Sequence, residues 1–117
     1  NKMNKPVDAI LVLSQAKHKY PESEYIYLIF KNLGNAYLVQ GMNDSALKYL
    51  ELSREINPEV VETNLFLARA YEASGKTARS IELWQRYIES ETDTIKCNDA
   101  KKHLKEITIK HLQEIIK

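Results

Sequence analysis

The sequence predicts an all-α fold made of stacked helix pairs, and three observations predict it. Its few chain breakers, Pro6, Pro21, Gly34, Gly41, Pro58 and Gly75, cut 117 residues into segments of helical length. Within those segments apolar residues recur at spacings of three and four, and no stretch alternates as a strand does. The chain also repeats itself. Displaced by 34 residues, Leu33 falls on Leu67, Tyr37 on Tyr71, Gly41 on Gly75, Leu47 on Ile81 and Leu50 on Trp84. A repeat of that length holds two helices, and one pair alone cannot bury its apolar face, so the pairs must stack.

The elements follow in order. Helix 1 is predicted over about 6–20, with Pro6 tolerated in the first turn and Val7, Ile10, Leu11, Leu13 and Ala16 on its apolar side. Helix 2 is predicted over about 24–40, capped by Ser23 and ended by Gly41. Helix 3 runs over about 44–56 with Asn43 as its cap, and Leu47, Leu50 and Ile56 face inward. Asn57-Pro58-Glu59 combines a cap, a first-turn proline and an early acid, which predicts helix 4 over about 58–74, stopped by Gly75. Helix 5 is predicted over about 77–90 with Thr77 as cap and Ile81, Trp84 and Ile88 on one side; helix 6 runs from about 94 to near 116. Helix 1 enters the same periodicity with a shift of 37: Ala9, Leu13, Ala16 and Pro21 land on Ala46, Leu50, Ser53 and Pro58. The extra residues fall in the connection near 22–25, where an insertion costs little.

Composition narrows the function classes. Charged residues make up 28% and hydrophobic ones 44%, the balance of a folded chain rather than a disordered one. The longest uncharged apolar run, 25–30, is far too short to span a bilayer. A single cysteine, Cys97, excludes an internal disulfide framework and a multi-cysteine zinc site. Net charge is +1, so the molecule is no polycation built for nucleic acid. The charge is uneven, however: four lysines stand against Asp8 in residues 1–20, and six lysines against Asp99, Glu106 and Glu114 in residues 95–117. The segment between holds twelve acidic and seven basic residues. The chain begins with Asn, as a processed chain or a cut fragment would.

Phe30, Leu33-Gly34, Tyr37, Gly41, Ala46, Leu50, Ser53 and Pro58 carry a recognisable order of large, small and aromatic positions. On these residues the sequence resembles the tetratricopeptide repeat family, whose pattern has a large residue, Leu-Gly, Tyr, small residues, another large apolar residue and a closing Pro. In residues 61–94 the pattern is degenerate: Ala68 stands for the Gly, Ser80 for the small Ala and Thr92 for the Pro, while Tyr71, Gly75 and Trp84 remain. The resemblance implies a right-handed α-α superhelix divided into the second helix of an incomplete repeat (6–23), a repeat (24–60), a degenerate repeat (61–94) and a capping helix (95–117). Helix 1 then lacks its own first helix, which is expected of a segment cut from a longer array. The far end of helix 6 carries Ile107, Ile109, Leu112, Ile115 and Ile116, more apolar surface than one neighbour needs.

No catalytic set is present in the sequence pattern, and the expectation is a non-enzyme with no cofactor and no metal. His103 and His111 share a helix face about 12 Å apart, too far to hold one ion. Cys97 next to His103 has no usual ligand spacing, and Cys97 is expected as a small residue packed under the last helix. Gly41 and Gly75 end helices and form no phosphate cradle.

What the resemblance does imply is a concave groove lined by the first helix of each pair, where the family binds extended peptides or a partner's helix. The positions that carry over are Leu28, Lys31, Asn35, Leu38 and Val39 from helix 2, Glu62, Leu65, Arg69, Glu72 and Ala73 from helix 4, and Lys96, Asp99 and His103 from helix 6. Lys31, Asn35 and Lys96 also match part of the carboxylate clamp of chaperone-binding members, but Phe66 and Ala100 depart from it. A protein or peptide partner is therefore expected, the chain serving as adaptor, scaffold or assembly factor within a longer protein. Two other classes stay open. One is a spacer or homo-oligomer joined through helix 6 and the open face of helix 1. The other is a helical-repeat nucleic-acid binder, which would need exposed tyrosines beside the lysine clusters.

Overall fold

The computed structural model of the protein describes residues 5–21 and 24–117. The described residues form six helices: α1 (Lys5–Lys19), α2 (Ile26–Val39), α3 (Asn43–Ile56), α4 (Val61–Ala73), α5 (Thr77–Ser90) and α6 (Thr94–Ile116). No strand occurs among the described residues. Each helix packs against the next in sequence, and α2 also touches α4. No Cα of α1 lies within 8 Å of one of α3, and the same holds for α3 with α5 and α4 with α6. The result is an elongated, repeat-like stack measuring 49 × 28 × 25 Å.

The 34-residue period is visible in the backbone. Gly41 and Gly75 both take the left-handed conformation, with φ of 82° and 78°. That conformation costs glycine nothing, and it turns the chain out of α2 and α4 in the same way. Met42 N–H donates to the Tyr37 carbonyl at 2.9 Å, and Lys76 N–H donates to Tyr71 at 2.9 Å. Gly41 N–H reaches Leu38 at 3.0 Å and Gly75 N–H reaches Glu72 at 3.1 Å. These paired bonds satisfy the last carbonyls of each helix.

The same geometry moves two expected caps. Met42 and Lys76, not Asn43 and Thr77, are the N-caps of α3 and α5, and neither bonds through its side chain. Asn43 instead donates Nδ2 to the Ala73 carbonyl at 3.4 Å, tying α3 to the end of α4. Helix α4 starts at Val61 rather than near Pro58. Asn57 is extended, as a residue before proline tends to be, and its Oδ1 accepts from Glu59 N–H at 3.2 Å. That local turn competes with an earlier helix start. The Ser23 cap expected for α2 lies outside the described residues. Asp93 does cap α6, accepting from Lys96 N–H.

The core follows the repeat. Leu33, Ala46, Leu50, Leu67, Ala68, Ala70 and Leu83 are fully buried, and Phe66, Trp84, Tyr87, Ala100 and Ile107 nearly so. Within the first pair, a Cβ on Gly34 would lie 2.5 Å from Leu50 Cγ, so only glycine allows α2 and α3 this approach. In the second pair Ser80 takes the place of Ala46 and donates Oγ to the Ala68 carbonyl at 2.8 Å. A hydroxyl is thereby buried without being left unpaired. Ser53 does the same with Tyr27 at 2.7 Å. Cys97 is half-buried against the end of α5, with Sγ 3.0 Å from the Glu91 carbonyl.

Two expectations about the apolar faces change. Leu11, placed on the apolar side of helix 1, is exposed, as is its neighbour Val12. Helix α1 packs its backbone on α2, with Lys17 reaching Tyr49 of α3, so its far side is left uncovered. Ile56 is also exposed rather than inward, because it sits in the last turn of α3.

Candidate functional site

The gap between the backbones of α4 and α6 creates a cavity. Helix α6 rests on α5, and a groove of about 790 Å³ runs between it and α4. Val61, Leu65 and Ala73 from α4, with Ala100 from α6, supply apolar walls. Trp84 and Tyr87, projecting from α5, form the floor. Both are core residues, Trp84 as the repeat predicts, and only an edge of each reaches the groove. Periodicity alone marks Trp84 as a packing residue; that it also floors a groove depends on where α6 rests.

The polar groups around this floor are unevenly engaged. Glu72 Oε1 accepts from Trp84 Nε1–H at 3.2 Å and lies 2.8 Å from His103 Nε2. This is the one side-chain bridge between α4 and α6 among the described residues. The His103 ring also lies 4.9 Å from that of Trp84, tilted by 60°. Glu91 Oε1 accepts from the backbone N–H of Thr92 and Asp93, each at 3.0 Å. The Asp93 N–H is the main reason its carboxyl is held below the usual range, and the Tyr87 hydroxyl adds to this. Burial pushes Tyr87 up to about 12, helped by its hydrogen bond to Glu91 and by that carboxylate's charge. Glu62 Oε1 is 2.6 Å from Lys31 Nζ. Arg69 and Lys96 are exposed and form no ion pair among the described residues.

Of the residues expected from the sequence, Glu62, Leu65, Arg69, Glu72 and Lys96 come together in this groove, as do Ala73, Asp99 and His103. Leu28, Lys31, Asn35 and Leu38 do not line it. Lys31 is turned to Glu62, with only 12% of its side chain exposed, and so joins α2 to α4. Leu38 packs against the core. Lys31 is thus already occupied as a clamp cation, and Phe66 and Ala100 are buried.

Several aromatic rings outside the groove are covered by the chain's own cations. Lys17 and Lys48 sit over Tyr49 at 4.9 and 5.5 Å, and Lys76 and Arg79 over Tyr71 at 5.9 and 5.6 Å. Tyr37 stacks on Tyr49 with 5.6 Å between centroids. These faces are not presented for base stacking. Among the described residues no three His, Cys, Asp or Glu side chains gather to hold a metal ion. None of the described helices is long and apolar enough to cross a membrane.

Comparison of the sequence with protein-family models found no match, and comparison with curated proteins found none either.

Proposed function

We propose that this chain is a non-enzymatic protein-interaction module, a short tetratricopeptide-type superhelix that binds a peptide or partner segment in the groove between α4 and α6. The carrying observation is the chemistry of that groove. Its size lies in the range of about 300–1,000 Å³ common for ligand sites. Its floor is aromatic, its walls mix apolar Val61, Leu65, Ala73 and Ala100 with charged side chains, and Arg69 and Lys96 stand on opposite sides with no ion pair among the described residues. Three of its four carboxylates are already satisfied within the chain. The superhelical reading draws support from the duplicated helix ends and from the contact of α2 with α4, the first helices of successive pairs. Glu62, Leu65, Arg69, Glu72 and Lys96 are the contact residues, with Trp84 and Tyr87 beneath them. Leu28, Asn35 and Leu38 extend the same side along α2. The module acts as adaptor, scaffold or assembly factor.

Trp84 is the only tryptophan, so its emission reports on the groove directly. An array of short synthetic peptides of varied sequence is screened against the native chain and an Arg69→Ala, Lys96→Ala variant. Peptides that bind the native chain should shift Trp84 emission, weaken with added salt and lose affinity for the variant. Peptides that bind both chains equally and leave Trp84 emission unchanged would place the contact elsewhere and defeat the proposal.

A further inference from the structure

Helix α6 has a second face. Its buried side is set by Ala100 and Ile107. Two positions further along, about 200° round the helix, lie Lys102 and Ile109. From there a stripe with alternating steps of three and four runs the length of the helix: Ile95, Asn98, Lys102, Lys105, Ile109, Leu112 and Ile116. All seven are exposed. Ile95 is 73% exposed, Ile109 47%, Leu112 51% and Ile116 81%. This is the spacing of a coiled-coil seam, apolar at both ends and interrupted by Asn98, Lys102 and Lys105. Lys102 and Lys105 form no ion pair among the described residues. None of α6's acids, Asp99, Glu106 and Glu114, falls on a stripe position.

We infer that this outer face is a docking surface for an amphipathic helix of a partner protein, one that places acidic side chains opposite Lys102 and Lys105 and apolar ones opposite Ile95, Ile109, Leu112 and Ile116. The lysines decide the occupant. A bilayer favours lysines at the margins of an apolar face, and here they interrupt it. A second copy is disfavoured in either direction. Parallel pairing sets Lys102 on Lys102 and Lys105 on Lys105. Antiparallel pairing with Ile95 against Leu112 sets Lys102 on Lys105, and the register one heptad away sets Lys102 on Leu112 and Lys105 on Ile109 with no acid to meet either cation. Unlike pairing removes the conflict, since a carboxylate in the partner helix meets each cation, and a polar pair within an apolar seam fixes register. The surface lies on the opposite side of α6 from Ala100, which lines the groove, so it works independently of the groove.

The test uses two synthetic peptides, helices of about three heptads with leucine along one stripe. One carries two glutamates at the positions facing Lys102 and Lys105; the other carries lysines there. The acidic peptide should bind the native chain at least about tenfold more tightly than the basic one. A Lys102→Glu, Lys105→Glu chain should invert the preference, and Ile109→Asp should abolish binding of both with helicity and Trp84 emission intact. Binding of neither peptide overturns the inference, as does equal binding of the two. So does loss of binding in the Arg69→Ala, Lys96→Ala chain with Ile109→Asp unaffected. Retention of the chain on vesicles of phosphatidylserine and phosphatidylcholine, abolished by Ile109→Asp, would assign the face to a membrane. Self-association abolished by Ile109→Asp would assign it to a second copy.

Discussion

The two helix pairs are copies in backbone and differ at their seams. Residues 24–60 and 61–94 have helices of nearly equal length, the same turn at Gly41 and Gly75, and equivalent buried residues at Leu33 and Leu67, Ala36 and Ala70, and Leu50 and Trp84. Yet the backbones of α2 and α4 touch, whereas those of α4 and α6 stand apart across a groove that the Glu72–His103 bridge spans. The side chains at the equivalent places differ as well. Lys31 and Glu62 join the first seam at 2.6 Å. One period on, those positions are Leu65 and Lys96, which cannot bond to each other, and both line the groove. A repeat thus sets the scaffold, and departures from it set where the surface opens.

The largest expected effect tests whether the pairs are equivalent in energy. Leu33 and Leu67 are both 0% exposed. Leu33→Ala and Leu67→Ala should each cost about 2–5 kcal/mol, measured by denaturant unfolding. Similar costs mean one continuous core. A much smaller cost for Leu33 would mean that the first pair is held more loosely than the second, since α1 buries less against it.

A smaller effect separates the pairs at their closest approach. Gly34→Ala places a methyl 2.5 Å from Leu50 Cγ and 2.8 Å from Leu50 Cδ2. Leu50 is fully buried and has nowhere to move, so the expected loss is about 1–3 kcal/mol despite alanine's better helix propensity. Ala68→Gly, the mirror change, should cost only about 1 kcal/mol through backbone freedom and a lost methyl. A stabilised Gly34→Ala protein would show that the α2–α3 distance is not fixed by this contact.

These positions also show what the sequence can and cannot carry. Helix number, the 34-residue period and the buried Leu33, Leu50, Leu67 and Trp84 were legible because burial imposes a spacing that survives in one dimension. The caps at 43 and 77 were displaced by one residue, since Gly41 and Gly75 commit the next N–H to the preceding helix. The start of α4 was hidden because Asn57 can cap a helix or fold back on Glu59, and only the local turn decides. The groove's residues on α4 and α6 were legible through the resemblance, but its floor was not. Trp84 is a core residue by every sequence criterion, and its place at the groove floor arises from the gap between the α4 and α6 backbones. The outer stripe of α6 was partly visible as excess isoleucine; that Lys102 and Lys105 belong to the same face becomes clear only once Ala100 and Ile107 define the buried side.

The second pair should be the more sensitive to alkali. Tyr87 is raised to about 12 by burial and Glu91. Tyr71 is raised by burial first and then by Glu51, with Arg79 opposing. A raised tyrosine favours the folded state while neutral. Its contribution is therefore complete below the ordinary value of 10.0 and is lost as pH climbs toward 12. Denaturant midpoints should fall across that window. Tyr87→Phe should flatten the fall while lowering stability at neutral pH by about 1 kcal/mol through the lost hydrogen bond. An unchanged slope in Tyr87→Phe would mean another group governs the alkaline limit.

The smallest effect bears most directly on the contrast between the seams. Lys31→Met removes the first-seam ion pair and should cost no more than about 1 kcal/mol, since Glu62 is half in solvent. Leu65→Lys with Lys96→Glu writes the same pair into the second seam. Stability should change by about 0.2–1 kcal/mol at most, but α6 should draw toward α4. Trp84 emission should then move to shorter wavelength as the groove closes over it, and groove-binding peptides should lose affinity. Leu65→Lys alone is the control: it removes the same apolar wall without supplying an acid, so it should weaken peptides yet leave Trp84 in its wetter state. If the double variant and this control give the same emission, ion pairing does not set the opening. The groove is then a consequence of α6 resting on α5, with the Glu72–His103 bridge as its one side-chain tie to α4 among the described residues.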